Sequence, residues 1–137
     1  MKLNIQKLQP AKVKVKKTKA GLGLVADQDL NKGDFVIEYV GKAMTEKEAF
    51  ARGGMYLFEI NKNLTIDGTN RKNTARYINH NCKPNCEVEI KQKRIFISTK
   101  KKIAKGEELG YDYGKDFYKE HIKPQGCKCG NEKHLYK

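Results

Sequence analysis

From Ala11 to Ala20 the chain alternates charge with bulk: Lys12, Lys14 and Lys16 stand between Val13 and Val15. That is the period-two pattern of a strand with one wet face. Leu22 to Ala26 and Phe35 to Val40 read as further strands, separated by Lys19-Ala20-Gly21 and by the turn-like Asn31-Lys32-Gly33-Asp34. Thr45 with Glu48 three residues later predicts a capped short helix running through Ala51, with Ala49 and Phe50 turned inward, and Arg52-Gly53-Gly54 ends it. Met55 to Ile60 and Leu64 to Asp67 predict a strand and its short return, and Asn73 to Ile78 a brief helical turn before the polar stretch Asn79 to Cys86. Glu87 to Ile90 and Arg94 to Ser98 alternate around Lys91-Gln92-Lys93 as a hairpin does, and Leu109 to Tyr113 reads as a last short strand. Many short strands with few helices predict a small mixed, mainly β domain. The long strand-helix units of a doubly wound dinucleotide fold are missing.

Length narrows this picture: 137 residues suffice for one compact domain and not for two. No apolar run approaches the roughly 18 residues of a membrane span, and MKLNIQKLQP lacks the hydrophobic segment of a secretory signal, so an intracellular protein is expected. Charge adds a question. Lys plus Arg number 29 against 16 Asp plus Glu, a formal +13, over a chain that is 38% apolar. Such an excess suggests a nucleic-acid partner, since clustered cations release counterions from phosphates. The densest run, AKVKVKKTKA, reads first as the solvated face of the first strand and only second as a dedicated phosphate-binding stripe.

Chemistry concentrates in four places. Cys82, Cys86, Cys127 and Cys129 allow two disulfides, free packed thiols or a metal site, and an intracellular setting favours metal. The spacing from Cys129 to His134, with Cys82 or Cys86 upstream, supplies the soft donors of a tetrahedral structural zinc that would fasten the C-terminal segment. Gly21-Leu22-Gly23-Leu24 permits close backbone approach to a ligand, although it is neither a dinucleotide fingerprint nor a P-loop. Arg76, Tyr77, Asn79 and His80 offer polar groups where the chain leaves regular structure. In Gly106 to Gly114, Tyr111 and Tyr113 sit two apart and so point the same way in a strand. They can pack a core, or line an apolar channel with their hydroxyls at its polar end, around an amine.

The order of these features resembles the SET-domain protein lysine methyltransferases. Gly21-Leu22-Gly23 resembles that family's early glycine motif, Ala75 to Cys82 its Arg-Phe-Ile-Asn-His-Ser-Cys signature, Met55-Tyr56-Leu57-Phe58 its active-site strand, and Glu107 to Tyr113 its late catalytic motif. The resemblance spans Lys12 to His134 and implies a compact SET β-fold with a pseudoknot-like C-terminal arrangement. It divides the chain into an N-terminal extension (1–11), a SET catalytic domain (12–114) and a post-SET-like closing segment (115–137). It implies S-adenosylmethionine held by Gly21, Leu22, Gly23, Arg76, Asn79, His80 and Phe117. Tyr113 matches the principal catalytic tyrosine, Tyr56 a lysine-channel tyrosine, and Tyr111 the position that controls methylation extent. Many trimethylating relatives carry phenylalanine at that last position, so mono- or dimethylation is expected here. Cys127, Cys129 and His134 resemble the zinc-binding post-SET motif with histidine for its third cysteine. Cys82 completes a Cys3His set, Cys86 is the competing ligand, and His121 is poorly spaced for the role.

The implied reaction is in-line methyl transfer to a neutral lysine amine, achieved by alignment and preorganisation. A free lysine has a pKa of about 10.4, so desolvation must favour the neutral form. Expected substrates are histones or other chromatin proteins, with nucleosome or DNA contact through the basic surface. The site of action is the nucleus or chromosome in a eukaryotic or host-targeted setting and the cytoplasm otherwise. A +13 enzyme repels a basic tail unless acids such as Glu59, Asp67, Asp112, Asp116 and Glu120 offset the field. A non-enzymatic chromatin- or nucleic-acid-binding module of the same fold is the alternative.

Overall fold

The alternation at the start of the chain becomes strand β1 (Val13–Thr18), which pairs antiparallel with β2 (Gly21–Ala26). Val13 lies opposite Ala26 and Val15 opposite Leu24; Leu24, Ala26 and the half-buried Val13 turn toward the core, whereas Val15, at 40% exposure, lies open to solvent as Lys14 and Lys16 do. The computed structural model describes residues 8–136, so the first seven positions of the expected N-terminal extension lie outside the described residues.

Beyond this ribbon come β3 (Phe35–Tyr39), β4 (Lys42–Met44), helix α1 (Glu46–Arg52), β5 (Leu57–Asn61) and β6 (Leu64–Asp67). A 3-10 turn over Thr74–Tyr77 leads into β7 (Asn79–His80), then β8 (Cys86–Lys91), β9 (Arg94–Thr99) and β10 (Gly110–Tyr111). They assemble as four small sheets: β1-β2, β3-β9-β8, β4-β6-β5 and the parallel pair β10-β7. This is the mainly β architecture that the short alternating segments predict.

The capping box forms as expected. Thr45 Oγ1 accepts from the Glu48 N–H at 3.1 Å, and the Thr45 N–H donates to Glu48 Oε1 at 3.2 Å. Phe50, however, is 91% exposed, because α1 buries none of its residues and the pair expected to face inward has no core beneath it. The hairpin turn is tighter than expected: Lys91 pairs with Arg94, leaving two residues, Gln92 and Lys93, at φ of 52° and 60°. That double positive φ is the twist a two-residue hairpin demands. β9 also departs from alternation, since Ile95 to Thr99 are all buried. It is the middle strand of its sheet and is covered on both faces, so Ile95 and Ile97 join the core with Leu24, Val36, Ile78 and Leu109.

The β4-β6 pair requires a glycine beside it. A Cβ on Gly41 would lie 1.9 Å from the Asp67 carbonyl oxygen, and backbone cannot yield there. Gly41→Ala is expected to destabilise the fold by about 1–3 kcal/mol, read as a lower midpoint in denaturant unfolding; an unchanged midpoint would contradict the packing described.

Candidate active site

Residues distant in sequence meet at the β7-β10 pair, where Asn79 lies opposite Gly110 and His80 opposite Tyr111. The Asn81 N–H extends the ladder to the Tyr111 carbonyl at 3.0 Å. Buried Asn85 holds the same junction from the other side: its Oδ1 accepts from the Gly110 N–H at 2.9 Å, and its Nδ2 donates to the Glu108 carbonyl at 2.9 Å. Asn79 reaches the early glycine segment, its Nδ2 donating to the Leu22 carbonyl and to Glu108 Oε2, each at 3.1 Å. A side-chain amide offers two donors, and here they tie three segments into one wall.

An aromatic row runs through this wall. The Tyr113 ring lies 4.8 Å from Tyr111, 5.1 Å from Phe117 and 5.6 Å from His80, and its hydroxyl donates to the Ile78 carbonyl. Burial, reinforced by Tyr39 and Tyr56 nearby, holds the Tyr113 phenol well above its ordinary value. It is a neutral hydroxyl, not a strong base. Burial also raises Tyr111, with Tyr113 as the next cause. Tyr39 extends the row and escapes the sequence reading: it is 5% exposed, and its hydroxyl donates to the Tyr56 carbonyl at 2.8 Å. A buried tyrosine needs a partner for its hydroxyl, and that need is the signal that could have singled it out.

Tyr56 and Tyr113 open onto a cavity of about 520 Å³, within the usual range for a small-molecule site. Leu22, Arg76, Asn79, His80 and Phe117 line it as the resemblance implies. Gly21 and Gly23 are not among the lining residues. A Cβ on Gly23 would lie 2.7 Å from Thr18 Cγ2 and 2.8 Å from Glu108 Oε2, so what approaches this glycine is the protein's own side chains. Arg71 and Lys128 also line the cavity, and no motif pointed to them.

Arg76 is only partly satisfied. Its Nη1 donates to the Thr69 carbonyl and its guanidinium lies 4.1 Å over the Tyr56 ring, yet its Nε is buried without a partner. A volume of this size with apolar and aromatic walls, three cationic side chains and an orphaned donor fits a nucleoside bearing an amino-acid group.

Next to the cavity, donor atoms of Cys82, Cys127, Cys129 and His134 all lie within 4.8 Å of one another. A tetrahedral zinc with Zn–S bonds of about 2.3 Å sets its sulfurs about 3.8 Å apart. Cys82 Sγ is 3.8 Å from Cys127 Sγ, and His134 Nδ1 is 3.3 Å from Cys82 Sγ and 3.6 Å from Cys129 Sγ. The donor set therefore fits structural zinc. Burial pushes the Cys82 thiol up to about 12. Burial opposes ionisation of Cys129 too, but N–H donors from Asn131 and Cys82 bring it down to about 6. Cys86, the competing ligand, is instead a core residue at 1% exposure, and His121 stacks on Phe117 at 4.6 Å. Among the described residues, no helix is long and apolar enough to cross a membrane.

Comparison with known proteins agrees with this arrangement. A family model described as SET domain matches residues 21–114. The putative histone-lysine N-methyltransferase ASHH4 of Arabidopsis thaliana is 40% identical over 129 residues, covering 85% of this chain and 36% of that protein. Histone-lysine N-methyltransferase 2D of Homo sapiens is 43% identical over 122 residues, covering 80% of this chain and 2% of that protein. The crystal structure of the Chaetomium thermophilum polycomb repressive complex 2 superposes with a TM-score of 0.75 at 30% identity, over 83% of this chain and 17% of that one. The chain thus spans about a third of the first relative and a small fraction of the other two.

Proposed function

The chain belongs to the SET domain family, and on that premise we propose that it transfers a methyl group from S-adenosylmethionine to a protein lysine, on a histone or another chromatin protein. The observation that carries this reading is the convergence of Tyr56 and Tyr113 on the cavity walled by Leu22, Asn79, His80 and Phe117. Residues 12–114 do the chemistry and 115–137 close over it. The named relatives are histone-lysine N-methyltransferases, which supports this activity and substrate class, and with it action at chromatin in a eukaryotic nucleus.

When bound, S-adenosylmethionine supplies a sulfonium-activated methyl group. Leu22, Arg76, Asn79, His80 and Phe117 hold it, with Gly21 and Gly23 shaping the loop from behind. The cationic side chains of Arg71, Arg76 and Lys128, which line the cavity, would attract its carboxylate. Tyr56 and Tyr113 strip water from an entering lysine side chain, which favours the neutral amine. The Tyr113 hydroxyl spends its proton on the Ile78 carbonyl, so its oxygen lone pairs face outward to accept from the amine N–H. It aligns the nucleophile and leaves proton removal to solvent.

Tyr111 sets the room around that amine. The residue is 5% exposed with its ring 4.8 Å from that of Tyr113, and although it does not itself line the cavity, its hydroxyl restricts the room a third methyl would need, which favours mono- or dimethylation. Tyr111→Phe is expected to shift the products several-fold toward higher methylation at unchanged target choice, read by mass spectrometry; an unchanged product ratio would sink this role.

The basic surface bears on the substrate. Lys14, Lys16, Lys17 and Lys19 are exposed along β1 and the turn after it, which favours a lysine presented beside DNA over an isolated basic tail. The test is transfer of labelled methyl groups to free histones, nucleosomes and a cell extract, followed by localisation of the modified residue. Label on a lysine, with nucleosomes preferred and the preference falling as salt rises, is the expected result. No protein labelled by the zinc-loaded chain, despite cofactor binding, would overturn the reading in favour of a non-enzymatic chromatin- or DNA-binding module.

A further inference from the structure

His80 stands between the two halves of the site. Its Nδ1 lies 3.0 Å from the backbone N–H of Tyr113, and its Nε2 lies 3.2 Å from Cys82 Sγ. A backbone N–H can only donate, so Nδ1 must keep its lone pair and carries no proton. In a neutral imidazole the proton then sits on Nε2, and the contact with Cys82 has one direction: the ring donates and the sulfur accepts. The reverse, a thiol donating to Nε2, would leave the ring without any proton. Asp112 Oδ1, the carboxylate nearest Nδ1, is 3.9 Å away, beyond hydrogen-bond reach.

The ring is fixed in this pose. Its side chain is 4% exposed and it packs against Tyr113 on one side and Tyr118, at 5.2 Å, on the other. Nor is His80 itself a ligand, because the four donors that cluster are Cys82, Cys127, Cys129 and His134. A histidine that donates to a metal-bound sulfur while accepting from a second segment is an outer-shell partner of the metal.

We propose that His80 is a positioning residue that couples the metal cluster to the catalytic tyrosine, by an Nε2–H donated to the Cys82 thiolate and an Nδ1 lone pair that holds the Tyr113 backbone. Cys82 lies two residues after His80 on the same segment, and Tyr113 lies two residues beyond the β10 position that pairs with His80. One imidazole therefore fixes the distance between the metal-held closing segment and the stretch after β10 that carries Tyr113. Metal binding and tyrosine placement become one event. The importance for turnover rests on the methyltransferase reading; the hydrogen-bond geometry does not.

The test uses the full chain, labelled with nitrogen-15 at histidine and loaded with zinc or cadmium-113. Long-range proton–nitrogen correlation should find the His80 proton on Nε2 and none on Nδ1, with scalar coupling from cadmium to that proton through the sulfur. His80→Phe keeps the ring and removes both nitrogens; it should weaken metal affinity about tenfold or more by competition with a chelator. It should also lower kcat with a smaller change in the KM for S-adenosylmethionine. His121→Phe, which leaves the cluster untouched, should keep wild-type metal affinity. A proton on Nδ1, a proton-free metal-bound Nε2, or unchanged metal affinity in His80→Phe overturns the coupling. Those readouts need no turnover, so they separate its failure from failure of the methyltransferase reading.

Discussion

Tyr113→Phe is expected to lower kcat by about 100-fold, the scale seen when one preorganised hydrogen-bonding group is lost from an active site, while the KM for the cofactor stays within a few-fold. The substitution keeps the ring against Tyr111, Phe117 and His80 and removes only the hydroxyl that donates to the Ile78 carbonyl. Two consequences follow, and they can be separated. Ile78 is fully buried, so its carbonyl loses a partner at a cost of about 1–3 kcal/mol, and the thermal midpoint falls. Independently, the amine loses the acceptor that aligns it, which lowers turnover at temperatures where the variant is still folded. A variant with wild-type kcat and a lowered midpoint would leave Tyr113 a structural residue and sink its catalytic role. The pH dependence discriminates further. Burial holds the phenol well above its ordinary value, so no limb of the rate profile near pH 10 should belong to Tyr113, and the Phe variant should keep the wild-type shape at lower amplitude.

What the sequence disclosed depended on how local each signal was. The Thr45 capping box is written in two residues three apart, and it forms with both hydrogen bonds in place. The Cys3His cluster was legible because the donor types are rare and three of them are spaced on one tail, and Cys82 rather than Cys86 joins it because Cys86 opens β8 and turns into the core. β4 and β7 were not legible, since strands of three and two residues carry no period and exist only because β6 and β10 lie beside them. Phe50 misled for the opposite reason: its capped helix is real, but apolar character in a short helix does not create a surface for it to cover. The site shows the same division. Tyr113 and Asn79 come from recognisable motifs, whereas Tyr39, Arg71 and Lys128 reach the cavity or its lining tyrosine only through the folded chain. Gly23 was noticed for the right property and the wrong neighbour, because Thr18 and Glu108 fill the space its missing Cβ leaves.

The closing segment has almost no core of its own, and Cys127→Ser should therefore detach it. Among the described residues from 115 onward, Tyr118 alone is buried, so hydrophobic burial cannot hold the segment in place. Its other ties are two ring contacts, Phe117 with Tyr113 and Tyr118 with His80, and single hydrogen bonds such as Asn131 Nδ2 to Asn81 Oδ1 at 2.8 Å and the Tyr136 hydroxyl to Asp112 Oδ2 at 2.7 Å. Each such bond contributes about 1 kcal/mol net. A structural zinc contributes on the order of 10 kcal/mol or more of apparent binding free energy in small domains, which outweighs both. Cys127→Ser is expected to lose stoichiometric zinc by elemental analysis and to become open to proteolysis within 115–136. It should lose at least about 100-fold in turnover, since loss of a ligand costs no less than the roughly 10–100-fold lost with an outer-shell partner, and Phe117, His121, Cys127 and Cys129 line the cavity. The sheets should persist, since Leu24, Val36, Ile95 and Ile97 pack without help from the tail. A cooperative unfolding transition with intact β-type circular dichroism would show that. Cys86→Ser provides the contrast: it lowers the unfolding midpoint through the core while leaving zinc content at the wild-type level. A wild-type chain that is fully active after its metal has been chelated would remove the structural requirement, and with it the reason for Cys82, Cys127, Cys129 and His134 to converge.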